Sequence, residues 1–313
     1  MHVDKQKLHI WINKYFYSPD IVGVALCIFL LPLSFIYSLF VCIKKLFSKK
    51  KSFDIKIISV GNLIVGGSGK TPLVKAIYNI FSPHLKTFIV LRGYKRQSKG
   101  CILISNNEEI FVDICQSGDE AMEYAKFKAN VIVSEDRKIA IDLAKKNSAK
   151  LIIFDDGFSK FDIDKFDILL KPAIEPFFPF TFPSGAYRYP KFFYKFANFI
   201  PQKDDIIKKS HILNQTDRML LVTAIANPNR LKEHFDKCID IKFYPDHYFF
   251  SKDELENLLQ KFNATSLLVT MKDYVKIERF NLPISIIILE TNISKKFEKT
   301  LHDYVFDNKF SSF

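Results

Sequence analysis

The segment Ile55–Pro72, IKIISVGNLIVGGSGKTP, is the most informative part of the chain for predicting its fold. Its first part, Ile55–Val60, is short, apolar and rich in β-branched side chains, a composition typical of a strand buried on both faces. Glycines follow, and Pro72 stands where the first turn of a helix accepts proline. Strand, glycine-rich loop and helix in this order predict a loop whose backbone N–H groups converge on phosphate oxygens at a helix N-terminus.

The candidate phosphate loop ends in a lysine and a threonine. Lys70 would reach the β- and γ-phosphates of a nucleotide, and the Thr71 hydroxyl would ligate Mg²⁺. The pattern G-x-x-x-x-G-K-[ST] is met except at its first position, where Ile64 replaces glycine. The predicted nucleotide-binding residues are Ile64, Val65, Gly66, Gly67, Ser68, Gly69, Lys70 and Thr71. The alternative interpretation is a glycine turn between strand and helix with an incidental lysine.

Two acidic residues follow a second apolar run, Leu151–Phe154. Asp155 and Asp156 stand at the predicted carboxyl end of that strand, where open parallel sheets bind ligands. Nucleotide kinases need a carboxylate at such a place to hold the metal. We therefore predict a Mg²⁺ site formed by Thr71, Asp155 and Asp156. For the two acids alone, an acidic turn between strand and loop is the alternative.

Further apolar runs alternate with amphipathic helical patterns along the chain. The strand-like runs are Thr87–Leu91, Ile102–Ile104, Asn130–Val133, Leu151–Phe154, Ile168–Leu170, Leu220–Thr223, Leu267–Thr270 and Ile284–Leu289. This alternation predicts parallel sheets covered on both faces by helices. The predicted fold class is α/β, with a P-loop NTPase-like parallel-sheet domain, a second and smaller α/β domain, and an N-terminal membrane helix.

Length and composition agree with two folded domains. The chain has 313 residues, of which 48% are hydrophobic and 26% charged, and these fractions exclude wholesale disorder. The Pro- and aromatic-rich stretch Pro172–Pro190 marks the domain junction. The predicted limits are 1–50 for the membrane-associated helix and its basic flank, 51–190 for the P-loop domain, 191–217 for a linker, 218–290 for the smaller domain, and 291–313 for a C-terminal helix or tail.

The net charge bears on possible binding partners, and the cysteines bear on disulfides and zinc sites. The formal net charge of +12 is compatible with nucleic acid, anionic lipid or phosphorylated substrates, or with a general compositional bias towards lysine. The five cysteines are scattered and form no C-x-x-C pair, so the sequence indicates neither a disulfide framework nor a zinc site.

One segment, Ile21–Ile43, has no charged residue and is long enough to cross the roughly 30 Å hydrocarbon layer of a membrane. The lysines that follow it outnumber those before it, which places the body of the protein in the cytoplasm by the positive-inside rule. They are Lys44, Lys45, Lys49, Lys50 and Lys51, against Lys5, Lys7 and Lys14. Because Pro32 interrupts the segment, a kinked helix in the interface, a hairpin and a buried soluble helix remain alternatives.

Two other clusters carry groups able to accept or donate protons. Asp119 and Glu120 stand at the start of a helical pattern, where Asp119 is equally interpretable as an N-cap. His247 follows Asp246 and precedes Ser251–Glu254, which has the form of a capping box opening a helix over 252–262. On local grounds alone, His247 is a loop histidine.

Taken in order, these motifs resemble those of the tetraacyldisaccharide 4′-kinase family, the membrane-associated lipid A kinases. The resemblance covers about residues 20–276 and includes the N-terminal apolar helix. The matching residues are Gly61-Asn62-Leu63, Gly66–Pro72, Arg92-Gly93-Tyr94, Gly118-Asp119-Glu120, Asp136-Arg137, Asp155-Asp156-Gly157-Phe158, Pro183, Gly185, Arg188, Pro190, Asp246-His247, Thr270, Lys272-Asp273 and Val275-Lys276. Each motif alone is weak, whereas the ordered series is specific.

The resemblance implies transfer of the γ-phosphoryl group of ATP, with Mg²⁺, to the 4′-hydroxyl of a lipid A disaccharide 1-phosphate. It places the enzyme at the cytoplasmic face of the inner membrane, with membrane lipids and the lipid precursor as partners and no nucleic acid. It further implies two α/β/α domains joined by a β-ribbon. The implied catalytic residues are Asp119 as base, His247 as its partner, Glu120 as a metal or positioning group, and Lys70. Arg92, Arg137 and Arg188 are the candidates for phosphate contacts.

Some positions depart from the family's usual residues. Ser159-Lys160 replaces Gln-His, Leu91 replaces serine, and Met271 replaces glutamate. The competing function is a membrane-tethered P-loop NTPase, regulatory or motor, without lipid kinase activity; a lipid-binding protein with an inactive nucleotide site is a third. Thr270 stands where the guanine-reading motif Asn-Lys-x-Asp has asparagine, so guanine selectivity is not supported.

Overall fold

The computed structural model describes residues 11–66, 69–225, 228–246 and 248–307. Two compact units divide the chain, and each is assembled from separate stretches. The first unit comprises the described residues of Met1–Val74, Lys150–Ile206 and Ile293–Phe313. The second comprises those of Lys75–Ala149 and Ile207–Asn292. The domain limits inferred from composition remain predictions.

The described part of the chain contains helices and strands throughout. The α-helices are α1 Ile21–Leu46, α2 Lys70–Phe81, α3 Ile114–Ser117, α4 Asp119–Lys126, α5 Arg137–Lys146, α6 Lys252–Lys261, α7 Met271–Ile277 and α8 Lys295–Phe306. The strands are β1 Lys56–Asn62, β2 Thr87–Leu91, β3 Ile102–Asn106, β4 Glu109–Ile110, β5 Asn130–Val133, β6 Leu151–Asp155, β7 Phe166–Leu170, β8 Ile206–Leu213, β9 Met219–Thr223, β10 Cys238–Phe243, β11 Ser266–Thr270 and β12 Ile284–Ile293. Short 3-10 segments lie at Lys191–Phe196, Lys203–Asp205, Pro228–Lys237 and Glu278–Phe280.

In the first unit, β1 lies between β6 and β7 and runs parallel to both. Val60 of β1 is level with Asp155 of β6, so the loops that follow these two strands leave from the same edge. The strand continues through Gly61, where a Cβ would lie 2.9 Å from the Cβ of Phe158. The absent side chain therefore lets the acid-bearing turn approach the end of β1.

The second unit contains β2–β5 and a five-stranded sheet with the order β10-β9-β11-β12-β8. In that sheet β9, β10, β11 and β12 are parallel neighbours. Leu220 and Leu267 pack in one apolar cluster, whereas Leu221 and Leu268 pack in another. Because successive side chains of a strand point to opposite faces, both faces of this sheet are covered, as predicted. Each such buried leucine contributes roughly 1.5–3 kcal/mol of transfer free energy.

The helix α1 is continuous from Ile21 to Leu46 and includes Pro32, which excludes the hairpin alternative. Its buried residues, Gly23, Cys27, Ser34 and Val41, follow one stripe along the helix. The Ser34 hydroxyl donates to the Thr181 carbonyl at 2.8 Å, and the Tyr37 hydroxyl donates to the Arg188 carbonyl at 3.1 Å. Most of the remaining surface is apolar and exposed, and the helix is long and apolar enough to cross a membrane. Most of this helix is therefore exposed in the described structure and is not buried in a core.

Candidate active site

The segment after β1 is held by the chain around Tyr187. The Val65 N–H donates to the Ala186 carbonyl at 2.8 Å, and the Arg188 N–H donates to the Leu63 carbonyl at 2.7 Å. Ile64 is buried in an apolar cluster with Phe158 and Tyr187. An isoleucine at the first position of the loop pattern thus fixes the start of the loop to the core. Gly67 and Ser68 lie outside the described residues.

Lys70 is the first residue of α2, so its ammonium and the positive end of the helix dipole lie together. Its Nζ donates to Asn62 Oδ1 at 3.3 Å and lies 3.8 Å from Asp156 Oδ1. The side chain is mostly buried. Asn62 ends β1, so the parallel sheet positions the lysine's partner. A cation beside a helix N-terminus forms the arrangement that binds phosphate.

The two acids follow directly from the end of β6. Asp155 is buried as the last residue of the strand. Asp156 has a left-handed backbone with φ +55°, which costs of order 1 kcal/mol for a residue with a side chain. Its N–H donates to the Val60 carbonyl at 2.9 Å, and this bond ties the turn to β1.

Arg188 donates from Nη1 and Nη2 to the two carboxylate oxygens of Asp156, at 2.8 and 2.9 Å. The same guanidinium donates to the side chain of Asn62. Burial opposes the positive charge of Arg188, but the hydrogen bonds and charge of Asp156 outweigh it and raise the pKa of the guanidinium. We call Asn62, Lys70, Asp156 and Arg188 the phosphate-loop cluster.

The oxygen groups near this cluster suit a hard cation. Thr71, Asp155 and Asp156 offer a hydroxyl and two carboxylates, the ligand types that Mg²⁺ prefers. Within the described ranges there is no group of three or more His, Cys, Asp or Glu side chains arranged to hold a metal.

A second set of charged side chains lies in the second unit, at the start of α4. Gly118 is the N-cap, so the interpretation of Asp119 as N-cap is wrong. At φ +80°, a Cβ on Gly118 would also lie 3.1 Å from the Tyr94 carbonyl oxygen. Asp119 is buried, its Oδ1 accepts the Glu120 N–H at 3.2 Å, and its Oδ2 lies 3.6 Å from Lys276 Nζ.

Two lysines of α7 face this region. Lys276 Nζ lies 3.5 Å from Asp273 Oδ1 as well as near Asp119. Lys272 Nζ donates to Asp246 Oδ1 at 3.1 Å. Burial lowers the pKa of Lys272, but the charges of Asp246, Asp119 and Glu120 outweigh burial and raise it. We call Asp119, Asp246, Lys272, Asp273 and Lys276 the buried charge cluster.

Sequence reasoning assigned no role to Asp273 or Lys276. Two signals were available: both residues stand in motifs that match the family, and their spacing places them on one helix face, because residues three or four apart lie on the same face. Thr270 caps α7 and also donates to Asp273 Oδ2 at 2.9 Å, which gives this threonine a structural role in place of base recognition.

The remaining predicted site residues are distributed between the units. Arg188 belongs to the phosphate-loop cluster. Arg137 is buried at the start of α5, where its guanidinium donates to the Ser134 carbonyl, and Arg92 is exposed after β2. His247 lies outside the described residues, although its neighbour Asp246 is bound by Lys272. The roles of these residues in substrate binding and catalysis remain predictions.

The sequence profile of the Tetraacyldisaccharide-1-P 4′-kinase family matches residues 26–200 and 195–308. The chain belongs to this family. A Campylobacter jejuni serotype O:2 protein named Tetraacyldisaccharide 4′-kinase is 46% identical over 96% of this chain and 98% of its own length. Proteins of the same name from Aliarcobacter butzleri and Helicobacter pylori are 44% and 40% identical, over 89% and 96% of this chain and 90% and 97% of their own lengths.

A solved structure of the LpxK of Aquifex aeolicus in complex with ATP superposes with a TM-score of 0.77. It is 24% identical and covers 90% of this chain and 100% of its own. This similarity confirms the predicted α/β fold class, with its two sheets and N-terminal apolar helix. The family match also confirms the resemblance that was predicted from the order of the motifs.

Proposed function

We propose that this protein is an ATP-dependent kinase that phosphorylates the 4′-hydroxyl of a tetraacyldisaccharide 1-phosphate, a lipid A precursor. The observation that carries the proposal is the phosphate-loop cluster, in which Lys70 lies at a helix N-terminus beside Asn62 and Asp156. The names of the 40–46% identical relatives supply the substrate and the hydroxyl that is modified.

Lys70 and the loop from Ile64 to Thr71 bind the phosphates of ATP and neutralise the charge that develops on the transferred group. Arg188 orients Asp156 by its bidentate contact, and Thr71, Asp155 and Asp156 supply the oxygen ligands for Mg²⁺. Mg²⁺ held by these residues would supply positive charge that offsets the negative charge of the phosphates. Positioning and charge neutralisation therefore account for most of the rate.

Asp119 is the base that accepts the proton of the 4′-hydroxyl as the oxygen attacks the γ-phosphorus. The burial of its carboxylate and the N–H of Glu120 support this role, because they fix the orientation of the carboxylate before substrate binds. Glu120 is a positioning group, and His247 acts through Asp119.

The site of action is the cytoplasmic face of the inner membrane. The buried stripe of α1 contacts its own unit from Gly23 to Val41, so we infer that the helix lies in the membrane interface with its other faces towards lipid. Exposed Phe177, Phe180 and Phe182 lie in the segment that α1 contacts and add apolar area. Anionic headgroups are attracted by the lysines that end and follow the helix, Lys44, Lys45, Lys49, Lys50 and Lys51.

The test is incubation of the full chain with labelled ATP, Mg²⁺ and tetraacyldisaccharide 1-phosphate in detergent micelles. The expected result is a lipid product that carries the label at the 4′-position, formed only when Mg²⁺ is present. Release of free phosphate without labelled lipid would instead identify a membrane-tethered NTPase. Absence of both products would indicate an inactive nucleotide site.

A further inference from the structure

Three charged side chains of the second unit are almost completely buried together. Asp119 is 6% exposed, Lys276 4% and Asp273 0%. Lys276 Nζ lies 3.6 Å from Asp119 Oδ2 and 3.5 Å from Asp273 Oδ1, and it has no hydrogen-bond partner among the described residues. The Lys276 ammonium therefore lies between two carboxylates and forms a hydrogen bond with neither.

Asp273 is the fixed end of this arrangement. It accepts hydrogen bonds from the Thr223 hydroxyl at 2.7 Å, the Thr270 hydroxyl at 2.9 Å and the Ala224 N–H at 3.2 Å. Thr223 and Thr270 end the neighbouring parallel strands β9 and β11. The backbone of the five-stranded sheet thus sets the position of the carboxylate, and the carboxylate sets that of the Lys276 ammonium.

A role in stability alone is a poor explanation for Lys276. Burial of an ammonium costs several kcal/mol before pairing, and well-packed apolar residues often replace buried ion pairs with no loss of stability. The charge instead acts on its second neighbour, Asp119. Because Asp119 Oδ1 accepts the Glu120 N–H, the ammonium near Oδ2 fixes the other half of the carboxylate.

We propose that Lys276 is a positioning residue for Asp119, which it orients and keeps ionised although a second carboxylate lies close by. This inference rests on the proposed function, in which Asp119 is the base. Lys276 touches no reacting atom and acts only through Asp119. Asp273 and the strand ends that bind it form the support.

Other charged groups face the same region and remain present in the variants tested below. They are Lys272 on α7, Glu120 on α4, Asp246 after β10, and Arg230, which feels the charges of Asp273 and Asp246. Since they are common to all variants, a difference between variants reports the group that was changed.

The signs of the expected effects follow from the charges. In Lys276→Met, Asp119 loses the ammonium that lies 3.6 Å from its Oδ2 while the negative charge of Asp273 remains, and both changes raise the pKa of a carboxyl group. The acid limb of the kcat/KM profile should move to higher pH, by about one unit or more, and kcat should fall by up to roughly 10²-fold. In Asp273→Asn, Lys276 acts on Asp119 alone, so the acid limb should move to lower pH.

The experiment measures phosphorylation of tetraacyldisaccharide 1-phosphate by the full chain in micelles between pH 5 and 9. Lys126→Met is the matched control, because Lys126 on α4 pairs with Glu278 at the end of α7 at 2.8 Å and does not touch Asp119. This control should keep the wild-type profile. The KM for ATP should stay within about twofold of wild type in all three variants, because the ATP phosphates bind at the loop from Ile64 to Thr71.

Each outcome decides the proposal. Opposite shifts in Lys276→Met and Asp273→Asn, with no shift in Lys126→Met, support it. An unshifted acid limb in Lys276→Met overturns it and makes Lys276 a structural residue. If Lys276→Met does not fold, Asp273→Asn alone decides, and an unshifted or raised limb overturns the proposal.

Asp119→Asn separates this inference from the function on which it rests. If Asp119→Asn is as active as wild type, the base has been wrongly assigned and the proposal falls with it. If Asp119→Asn is inactive while Lys276→Met keeps the acid limb of wild type, the assignment of Asp119 as the base is supported. Only the positioning role of Lys276 is then overturned. A wild-type chain that phosphorylates no lipid overturns the proposed function itself.

Discussion

At the scale of single residues, the phosphate-loop cluster shows how a few contacts prepare a cation for phosphate. Lys70 is held by the neutral oxygen of Asn62 and lies farther from Asp156, which is engaged by Arg188. An entering phosphate therefore competes with a weak partner of the lysine. The left-handed backbone of Asp156 is compensated by a charge-assisted bidentate contact, which is stronger than a neutral hydrogen bond.

Lys70→Ala should lower kcat for lipid phosphorylation by roughly 10²–10³-fold, because a preorganised positive group at the transferred phosphate is lost. The far-UV circular dichroism spectrum should not change. Lys146→Ala is the control, since Lys146 is an exposed lysine in the last turn of α5. Turnover near the wild-type value in Lys70→Ala would contradict the assignment of the loop.

Arg188→Lys tests whether this arginine acts through Asp156. Lysine keeps the charge but lacks the planar fork that binds both carboxylate oxygens. We expect the Mg²⁺ concentration for half-maximal activity to rise, while the KM for lipid stays near wild type. A rise in the KM for lipid alone would show a direct contact with the substrate phosphate. Lys191→Ala, which breaks an exposed ion pair with Glu175, should change neither value.

At the scale of elements, the start of α4 decides where Asp119 lies. Gly118 combines a left-handed backbone with a position close to the Tyr94 carbonyl. The helices α3 and α4 therefore meet at a turn that no other residue fits without strain.

The prediction of strands also depends on their place in the sheet. The apolar-run criterion finds the central strands but misses β8 and β10, which are edge strands without a fully buried residue.

Gly118→Ala should destabilise the protein by more than Gly100→Ala, and urea unfolding of both variants measures the difference. Gly100 has nearly the same φ, +79°, but a Cβ there meets nothing within 4 Å. Gly100→Ala therefore reports the backbone cost alone, about 1–2 kcal/mol. Gly118→Ala adds the clash with the Tyr94 carbonyl. Equal losses of free energy of unfolding would show that the contact is relieved at no cost.

At the scale of the whole molecule, membrane binding combines an apolar helix face with an excess of positive charge. Deletion of α1 would expose the apolar cluster that contains Val41, Leu63 and Tyr187. A loss of membrane binding in the truncated protein could therefore result from misfolding. Substitutions on the exposed face of α1 avoid this problem. Phe29 and Ile36 are suitable because both are largely exposed.

Phe29→Asp/Ile36→Asp should bind weakly to vesicles that contain anionic lipid, and 1 M salt should release it. Wild type should stay bound in 1 M salt, because salt screens the lysines but not apolar burial. Vesicle sedimentation measures both. The control is Ile139→Asp, an exposed apolar position on α5, which should bind as wild type does. Salt-resistant binding of the double variant would locate the apolar contact elsewhere.

Local sequence patterns were sufficient to predict most elements and the phosphate loop. Period and composition are local properties, so the run Ile55–Val60, the glycines before Lys70 and the apolar segment from Ile21 were sufficient to predict a strand, a phosphate loop and a long apolar helix. The N-cap at Ser251 was equally local, and its hydroxyl accepts the Glu254 N–H at 3.2 Å, whereas the Glu254 carboxylate accepts a hydrogen bond from the Tyr248 hydroxyl. The family followed from the order of such motifs.

Which polar and charged groups meet depends on the tertiary structure. Arg188 binds Asp156, Ser34 binds Thr181, and Lys276 lies between Asp119 and Asp273. No local pattern encodes Arg188 with Asp156, Ser34 with Thr181 or Lys276 with Asp119, because their members are far apart in the chain; Asp273 and Lys276 are the local pair, three residues apart on α7. Burial then strengthens the contacts of Lys276 with Asp119 and Asp273, since a charge acts strongly on a neighbour only where water is excluded.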